Sequence, residues 1–598
     1  MRIFTGLLAC VVVASQSVHA GQSVDADQAF SPDHWPKADL ARYLDLEFQS
    51  RVPVSMNTAT AAHGMVVGTP NPLAIHAGVE ALKHGGNAAD AAITTALTQV
   101  ALTAGATMSY AGILHAIYYD AAASQVYALD AGYNTLKSET DPLSIPAKGT
   151  HSGRTVLVPG FIAGIQALHD RFGKLPLRQL YEPATWVADH GVPFNPAVQG
   201  WLSQSGSTMT RLPDTRRIFT HDDGRPYQIG ENFRQPQLAA TLKEISTTGA
   251  SYFYTGTWAS HFVDAVRREG GNLTLDDLAS YRAQWSEPIR VRYRDFDVLS
   301  VGNRDPEALR VLGGLKTAEA LDLKRLGPYS QSSEALYSLI QIYRKELGLL
   351  YQPGLRKELE LAVPGAQQDE NFLLRADTAA WIAQRIQSEA IIPRPAPEAS
   401  GEAISAHTGA VVTVDEQGNV ACVIHTINTS LWGTTGLFVD GISIPDSASF
   451  QQSAIAAVGA GHRLPATTVP LMALQDGHPI LGAGVTGSSG AITMLENALN
   501  VLDFNMDPAT AVAQPNTLGP YLGISVGSPS RPVWEVEAIR AGDFPDSVLE
   551  GVRARGQPIR IIDDYSQDAY WVGIRLDFKA HRLLGGSTYK NQSLAEGY

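Results

Sequence analysis

The sequence predicts an α+β fold, on three observations. Alternating apolar runs on either side of short polar turns, near residues 115–130 and 411–426, read as β-hairpins. Between them, residues 155–390 carry mainly helix-period apolar patterns. A further helix, Asn87 to about Thr103, is nearly uncharged apart from Asp90, and a helix apolar all round belongs in an interior. The 598 residues would suggest several domains on length alone and can bury well over half of their unfolded surface. Only 17% are charged and 44% are hydrophobic, as in a well-buried globular protein. A net charge of −14 argues against nucleic acid or an anionic membrane as partner, since both present negative surfaces.

Taken in order, the chain opens with a secretory signal. Arg2 supplies the positive charge, Ile3 to Ala14 is mostly apolar, and Val18-His19-Ala20 offers small residues for cleavage. Residues 1–20 are therefore read as removed, and the protein as secreted or periplasmic; the apolar stretch is too short to span a membrane. Cys422 then remains the one cysteine, so no internal disulfide is expected, and its strand-like surroundings make it a small buried residue. Residues 21–60 form a polar extension laid on the surface, and Met65 to Gly68 a short strand. A helix from Pro72 to Lys83 stops at Gly85-Gly86, where glycine serves as a C-cap. After the first hairpin come helices at Gly160–Phe172, Gln179–His190, Gln237–Ser246, Thr257–Glu269, Ser332–Leu349 and Thr378–Ser388, with a strand pair around Ile289–Val301. Residues 388–407 hold Pro393, Pro395 and Pro397 followed by Ser400-Gly401, and read as a flexible linker. Val411–Val414 and Val420–Thr426 then flank Asp415 to Asn419, which has turn chemistry.

Several chemistries are disfavoured. Gly482-Ala483-Gly484-Val485-Thr486-Gly487 has the spacing of a dinucleotide fingerprint, but the βαβ alternation does not continue after it, so a turn presenting backbone amides to a reacting group is the better reading. No Gly-x-Ser-x-Gly, His-Glu-x-x-His or Cys-x-x-Cys occurs, and His76 and His84 on one helix read as surface residues, so neither a metal nor another cofactor is expected. Thr408 stands out by position, at the point where the linker meets a strand. A threonine hydroxyl is a poor nucleophile without a base. Cutting the peptide bond before it would create an α-amine with an ordinary pKa near 8, able to take the hydroxyl proton.

Many segments, in order, carry a likeness to one family. They include Gly85-Gly86-Asn87-Ala88-Ala89-Asp90-Ala91-Ala92, Val158-Pro159-Gly160, Gln235-Pro236-Gln237-Leu238-Ala239-Ala240-Thr241-Leu242, Phe253-Tyr254-Thr255-Gly256 and Leu273 to Tyr281. Further on come Thr426-Ile427-Asn428-Thr429 and the final Ala595-Glu596-Gly597-Tyr598. From about Gly64 onward the chain resembles the γ-glutamyltransferase (glutathione hydrolase) family of N-terminal-nucleophile hydrolases, as a divergent member. The resemblance implies a four-layer αββα sandwich. It places the nucleophile seven residues before Asp415, at Thr408, with autocatalytic cleavage after His407. The large-subunit region is then 61–407 and the small one 408–598, held together as a heterodimer without cofactor, and the substrate is a small-molecule or peptide-like amide.

The departures from the family pattern fall on its glutamate-recognition residues. The family's second Thr, supporting the nucleophile, falls on Gly409; its substrate Arg falls on Gly132; and the Asp that binds the glutamyl amino group falls on Ser449. Its paired Ser maps to Ala466-Thr467 and its paired Gly to Thr486-Gly487, while Asn428 is kept. Thr408 is thus read as the catalytic residue, Thr467, Thr486 and Gly487 as lining the oxyanion position, and Asn428 and Ser449 as substrate contacts. An amidohydrolase or acyltransferase of altered acyl specificity follows, since each lost charge-assisted hydrogen bond contributes about 1.5–3 kcal/mol. Two other readings are a genuine glutathione hydrolase that grips the substrate carboxylate through Lys137 or Arg463, and a non-catalytic binding protein.

Overall fold

The structure, a computed structural model, describes residues 30–49, 52–302, 305–388, 408–487, 489–517, 536–562, 569–577, 579–588 and 592–598. The expected signal 1–20, His407 and all but the first residue of the linker lie outside them.

Two seven-stranded antiparallel sheets form the middle of the molecule. One runs Thr58–Ala61, Arg582–Ser587, Ala569–Asp577, His478–Gly487, Leu471–Gln475, Phe296–Ser300 and Ile289–Tyr293. The other runs Leu594–Gly597, Met65–Thr69, Thr408–Val414, Val420–Thr426, Ile113–Asp120, Gln125–Ala131 and Gln284–Ser286. Strand side chains alternate between faces, and here both faces are buried. Val412, Val414, Cys422 and Ile424 meet Met472, Val572 and Ile574 of the opposite sheet. Their neighbours Val411, Ala421 and Val423 join the outer layer of helices Pro72–Lys83 and Ala88–Leu102. On the far side Leu471, Ala473, Leu481 and Trp571 pack against Leu312, Leu315, Ile340 and Leu495, from helices Pro306–Ala320, Ser333–Tyr351 and Gly490–Leu502. The order helix, sheet, sheet, helix is the expected four-layer αββα sandwich.

The helix Ala88–Leu102 begins at a capping box: the Asn87 side chain accepts from Asp90 N–H and the Asp90 carboxylate accepts from Asn87 N–H. All of its residues are buried.

The structure differs from the sequence reading in five places. The helix Pro306–Ala320 was not anticipated, because Gly313-Gly314 interrupts its apolar period. The helix expected over Gln179–His190 is two, Leu177–Leu180 and Glu182–His190, with Pro183 able to sit only in the first turn of the second. Gly482–Gly487 is not a turn but the inner half of the strand His478–Gly487, paired along its length with Ala569–Asp577. The extension holds a helix, Lys37–Phe48, docked by buried Trp35 and Tyr43. His76 is buried rather than superficial, stacked on Tyr43 with ring centroids 4.0 Å apart, its Nδ1 2.8 Å from Glu596 Oε1.

Candidate active site

Thr408 is the first residue of its strand, and the antiparallel register sets it opposite Thr426. That register is pinned at the turn. Asp415 Oδ1 accepts from the N–H groups of Gln417 and Asn419, each at 3.0 Å, while Oδ2 accepts from Ala88 N–H at 3.0 Å and ties the hairpin to the buried helix. The Thr408 hydroxyl donates to Thr426 Oγ1 at 3.2 Å, and Thr426 Oγ1 also accepts from Asn428 N–H at 3.1 Å. Thr426 therefore supports the Thr408 hydroxyl. The sequence reading had sought that support at position 409, although counting outward from the Val414–Val420 pair leads from Thr408 to Thr426.

Gly409 has its own physical reason. A Cβ there would lie 2.3 Å from His425 Nε2 and 2.5 Å from Met108 Sδ. The His425 ring cannot retreat: Nε2 is 2.8 Å from Gln99 Oε1, and Gln99 Nε2 donates to Pro70 O. Since the Gln99 amide nitrogen is committed, its oxygen is the acceptor and His425 carries its proton on Nε2. Burial drives the His425 pKa down to about 3, so the ring is neutral.

Thr408 opens on a small cavity of about 40 Å³, which Thr467, Thr468, Thr486, Gly487 and Glu307 help to line. Thr467 Oγ1 is buried and has no hydrogen-bond partner among the described residues, so its proton can meet a ligand. Thr486 and Gly487 end the strand His478–Gly487, with Gly487 at φ 99°, and the helix Gly490–Leu502 starts just beyond. The first turn of Pro306–Ala320 contributes Glu307. The helix Gly490–Leu502 thus begins at the cavity wall, and its N-terminal partial charge favours an anion forming there. The arrangement sets a positioned hydroxyl beside donors suited to an oxyanion.

Of the residues singled out in the sequence, Thr408, Thr467, Thr486 and Gly487 come together at this cavity. Asn428, left-handed at φ 51°, touches the site through its N–H to Thr426 and does not line the cavity. Ser449 is buried elsewhere: its hydroxyl donates to Asp446 Oδ2 at 3.2 Å, and Asp446 also accepts from Thr429 and Thr434. His407 lies outside the described residues.

The two candidate carboxylate grips are engaged within the protein. Arg463 Nη1 donates to Asp130 Oδ1 and to Asp130 O, each at 2.7 Å, Nε donates to Asn134 Oδ1 at 2.6 Å, and Nη2 donates to Arg282 O at 2.7 Å. Its Cδ lies 3.3 Å from where a Cβ on Gly132 would stand, so Arg463 fills the space beside that glycine. Lys137 Nζ donates to Asp276 Oδ2 at 2.7 Å. Burial pushes the Asp130 carboxyl upward but is outweighed by His115 and Arg463, which hold it well below the carboxylate range. Burial also pushes the Cys422 thiol up to about 12, which makes it inert. Among the described residues no group of three or more His, Cys, Asp or Glu side chains could hold a metal, and no helix is long and apolar enough to cross a membrane.

Comparison with known proteins was made at three levels. The family model described as gamma-glutamyltranspeptidase matches residues 74–597. A glutathione hydrolase proenzyme of Pseudomonas sp. (strain A14) is 27% identical over 520 residues, covering 80% of this chain and 85% of that protein. The acylase ACY 1 proenzyme of Pseudomonas sp. (strain SE83) is 25% identical over 530 residues, covering 84% and 88%. Among solved structures, cephalosporin acylase from Bacillus halodurans superposes with a TM-score of 0.75 at 23% identity, over 92% of this chain and 98% of that one, which shows a shared fold.

Proposed function

The chain belongs to the gamma-glutamyltranspeptidase family, and from that premise we propose that it is an exported, self-cleaving amidohydrolase whose nucleophile is Thr408. By its family and relatives it is an enzyme of the gamma-glutamyltranspeptidase type, an amidohydrolase or transferase of the N-terminal-nucleophile class. In the fuller reading residues 1–20 are removed on export to the periplasm or medium, 21–60 form the N-terminal extension, and the precursor breaks between His407 and Thr408. The regions 61–407 and 408–598 then remain associated as large and small subunits. Relatives named as proenzymes support a maturation of this kind.

The freed α-amine of Thr408 takes the Oγ proton, directly or through water, as Oγ attacks the amide carbonyl. Negative charge gathers on the carbonyl oxygen, where the Thr467 hydroxyl, unpartnered among the described residues, Thr486, Gly487 and the N-terminus of the helix Gly490–Leu502 favour it. The protonated amine returns its proton to the leaving nitrogen, and water or a second amine releases the acyl group from Thr408. The observation that carries this reading is the Thr408 hydroxyl, at the head of its strand, held by Thr426 at the mouth of that cavity.

Acyl specificity is proposed to differ from γ-glutamyl. Glycine stands at 132, Ser449 is turned to Asp446, and both Arg463 and Lys137 are paired. Acylase and glutathione hydrolase relatives stand at nearly the same identity, which fits either acyl class. A panel of acyl anilides tests the proposal: neutral acyl groups should be released and γ-glutamyl anilide hardly at all, with all release abolished in Thr408→Ala. Efficient γ-glutamyl release would overturn the specificity, and activity surviving in Thr408→Ala would overturn the nucleophile.

A further inference from the structure

Among the described residues lining the Thr408 cavity, Glu307 carries the one carboxyl group. It sits in the first turn of the helix Pro306–Ala320, after Asp305, which caps the helix by accepting from the N–H groups of Glu307 and Ala308. Behind it, Arg310 Nη1 donates to both Glu307 carboxylate oxygens at 2.9 Å. The pair is oriented: the Glu307 side chain is 26% exposed, whereas that of Arg310 is 5% exposed and lies over the Tyr343 ring at 4.4 Å. The carboxylate is thus foremost and the guanidinium is shielded. A carboxylate offers about four lone-pair directions, and Arg310 uses only part of them. An acceptor is left facing a cavity whose other polar side chains are threonine hydroxyls.

The surrounding titratable groups do not duplicate this role. Burial raises the carboxyls of Asp305 and Glu346 above the ordinary carboxylate range, and Asp305 is taken up by the N–H groups of Glu307 and Ala308. His425 is neutral and turned to Gln99. His115 meets Thr468 Oγ1 at 3.0 Å on one side and Asp130 at 3.2 Å on the other.

We propose that Glu307 is a positioning residue for the nucleophile: once the chain is cut, its carboxylate accepts a hydrogen bond from the α-amine of Thr408 and holds that amine beside Oγ. The inference rests on the cleavage proposed above. Glu307 forms no covalent bond; it steadies the amine while the amine takes the Oγ proton and carries it as an ammonium. Arg310 tempers the negative charge, so that the amine can still lose its proton near neutral pH.

The test reads the amine itself, by the pH dependence of acetic anhydride labelling of the Thr408 terminus, followed by mass spectrometry. An acceptor carboxylate favours the charged amine, so Glu307→Gln should lower the labelling midpoint by about one pH unit. Glu307→Asp, which keeps the charge but withdraws it, should fall between. An Arg310 pairing that served only the helix would leave the midpoint where it is in the wild type, and an unchanged midpoint overturns the inference. Loss of cleavage in both variants with an unaltered Tm also counts against it, since the proposed role begins after the cut. A wild-type protein with no Thr408 amine to label would instead refute the proposed cleavage, a separate failure.

Discussion

At the scale of the residue, the site depends on Thr426, which faces Thr408 across the strand pair, and on Gly409, which follows it in the same strand. Thr426 holds the hydroxyl of Thr408, the proposed nucleophile, so Thr426→Val should slow both maturation and turnover by about a hundredfold, within the range that positioned proton-handling groups supply; single-turnover kinetics on purified protein would check it. Gly409 is held to glycine by His425 and Met108. Gly409→Ala should cost about 1–3 kcal/mol through overpacking, seen as a lower urea midpoint, and a tolerated alanine would mean that the His425 ring can move. A β-branched hydroxyl where a proline-rich linker meets a strand is by itself an ordinary strand residue, and the family resemblance, seven residues before Asp415, is what singles out Thr408. Residue types could not show Glu307, which reaches the cavity from 101 residues upstream of Thr408 in the chain. Nor could they show that Ser449 faces Asp446, because that contact depends on how a long loop closes.

At the scale of the element, periodicity served well where a single environment governs a segment. The helices Pro72–Lys83 and Ala88–Leu102 and the hairpin around Asp415 stand where their apolar pattern and caps put them. It failed where packing overrides local preference: Pro306–Ala320 tolerates two central glycines, and the Gly482–Gly487 run is a strand because it pairs with Ala569–Asp577, its Gly482 leaving room for Val420 and Cys422 of the facing sheet. The helix Gly490–Leu502 carries its own prediction. Its Glu496 is fully buried, and burial raises the carboxyl to about 8, opposed by hydrogen bonds from Thr517 N–H and Oγ1. The folded pKa lies above the unfolded one, so the native state holds the extra proton, and stability falls as pH rises from about 4.5 toward 8. Glu496→Gln should therefore raise Tm at pH 8 and hardly change it at pH 5, in paired thermal melts.

At the scale of the whole molecule, the layered architecture follows from two sheets whose strands are apolar on both faces, a pattern that needs cover on each side. Sequence alone gave an α+β chain; the order of the fourteen strands, which brings the strand from Thr408 beside Met65–Thr69, lies in long-range pairing that no local signal encodes. The two proposed subunit regions are joined by Asp130 and Arg463, both buried. Because the Asp130 pKa is depressed in the folded state, its contribution is present above the ordinary carboxylate range and is lost as pH falls below that range toward the lower folded value. Asp130→Asn should cost about 3–5 kcal/mol at pH 7, as breaking a buried pair does, with the difference from wild type shrinking in acid; denaturation at several pH values would show it. All of this hangs on one chemical event, and the terminal sequence of the purified protein reports it directly. Two chains are predicted, the smaller beginning Thr408-Gly409-Ala410, and a single uncut chain in Thr408→Ala. An active protein whose chain runs unbroken from His407 into Thr408 would contradict the account.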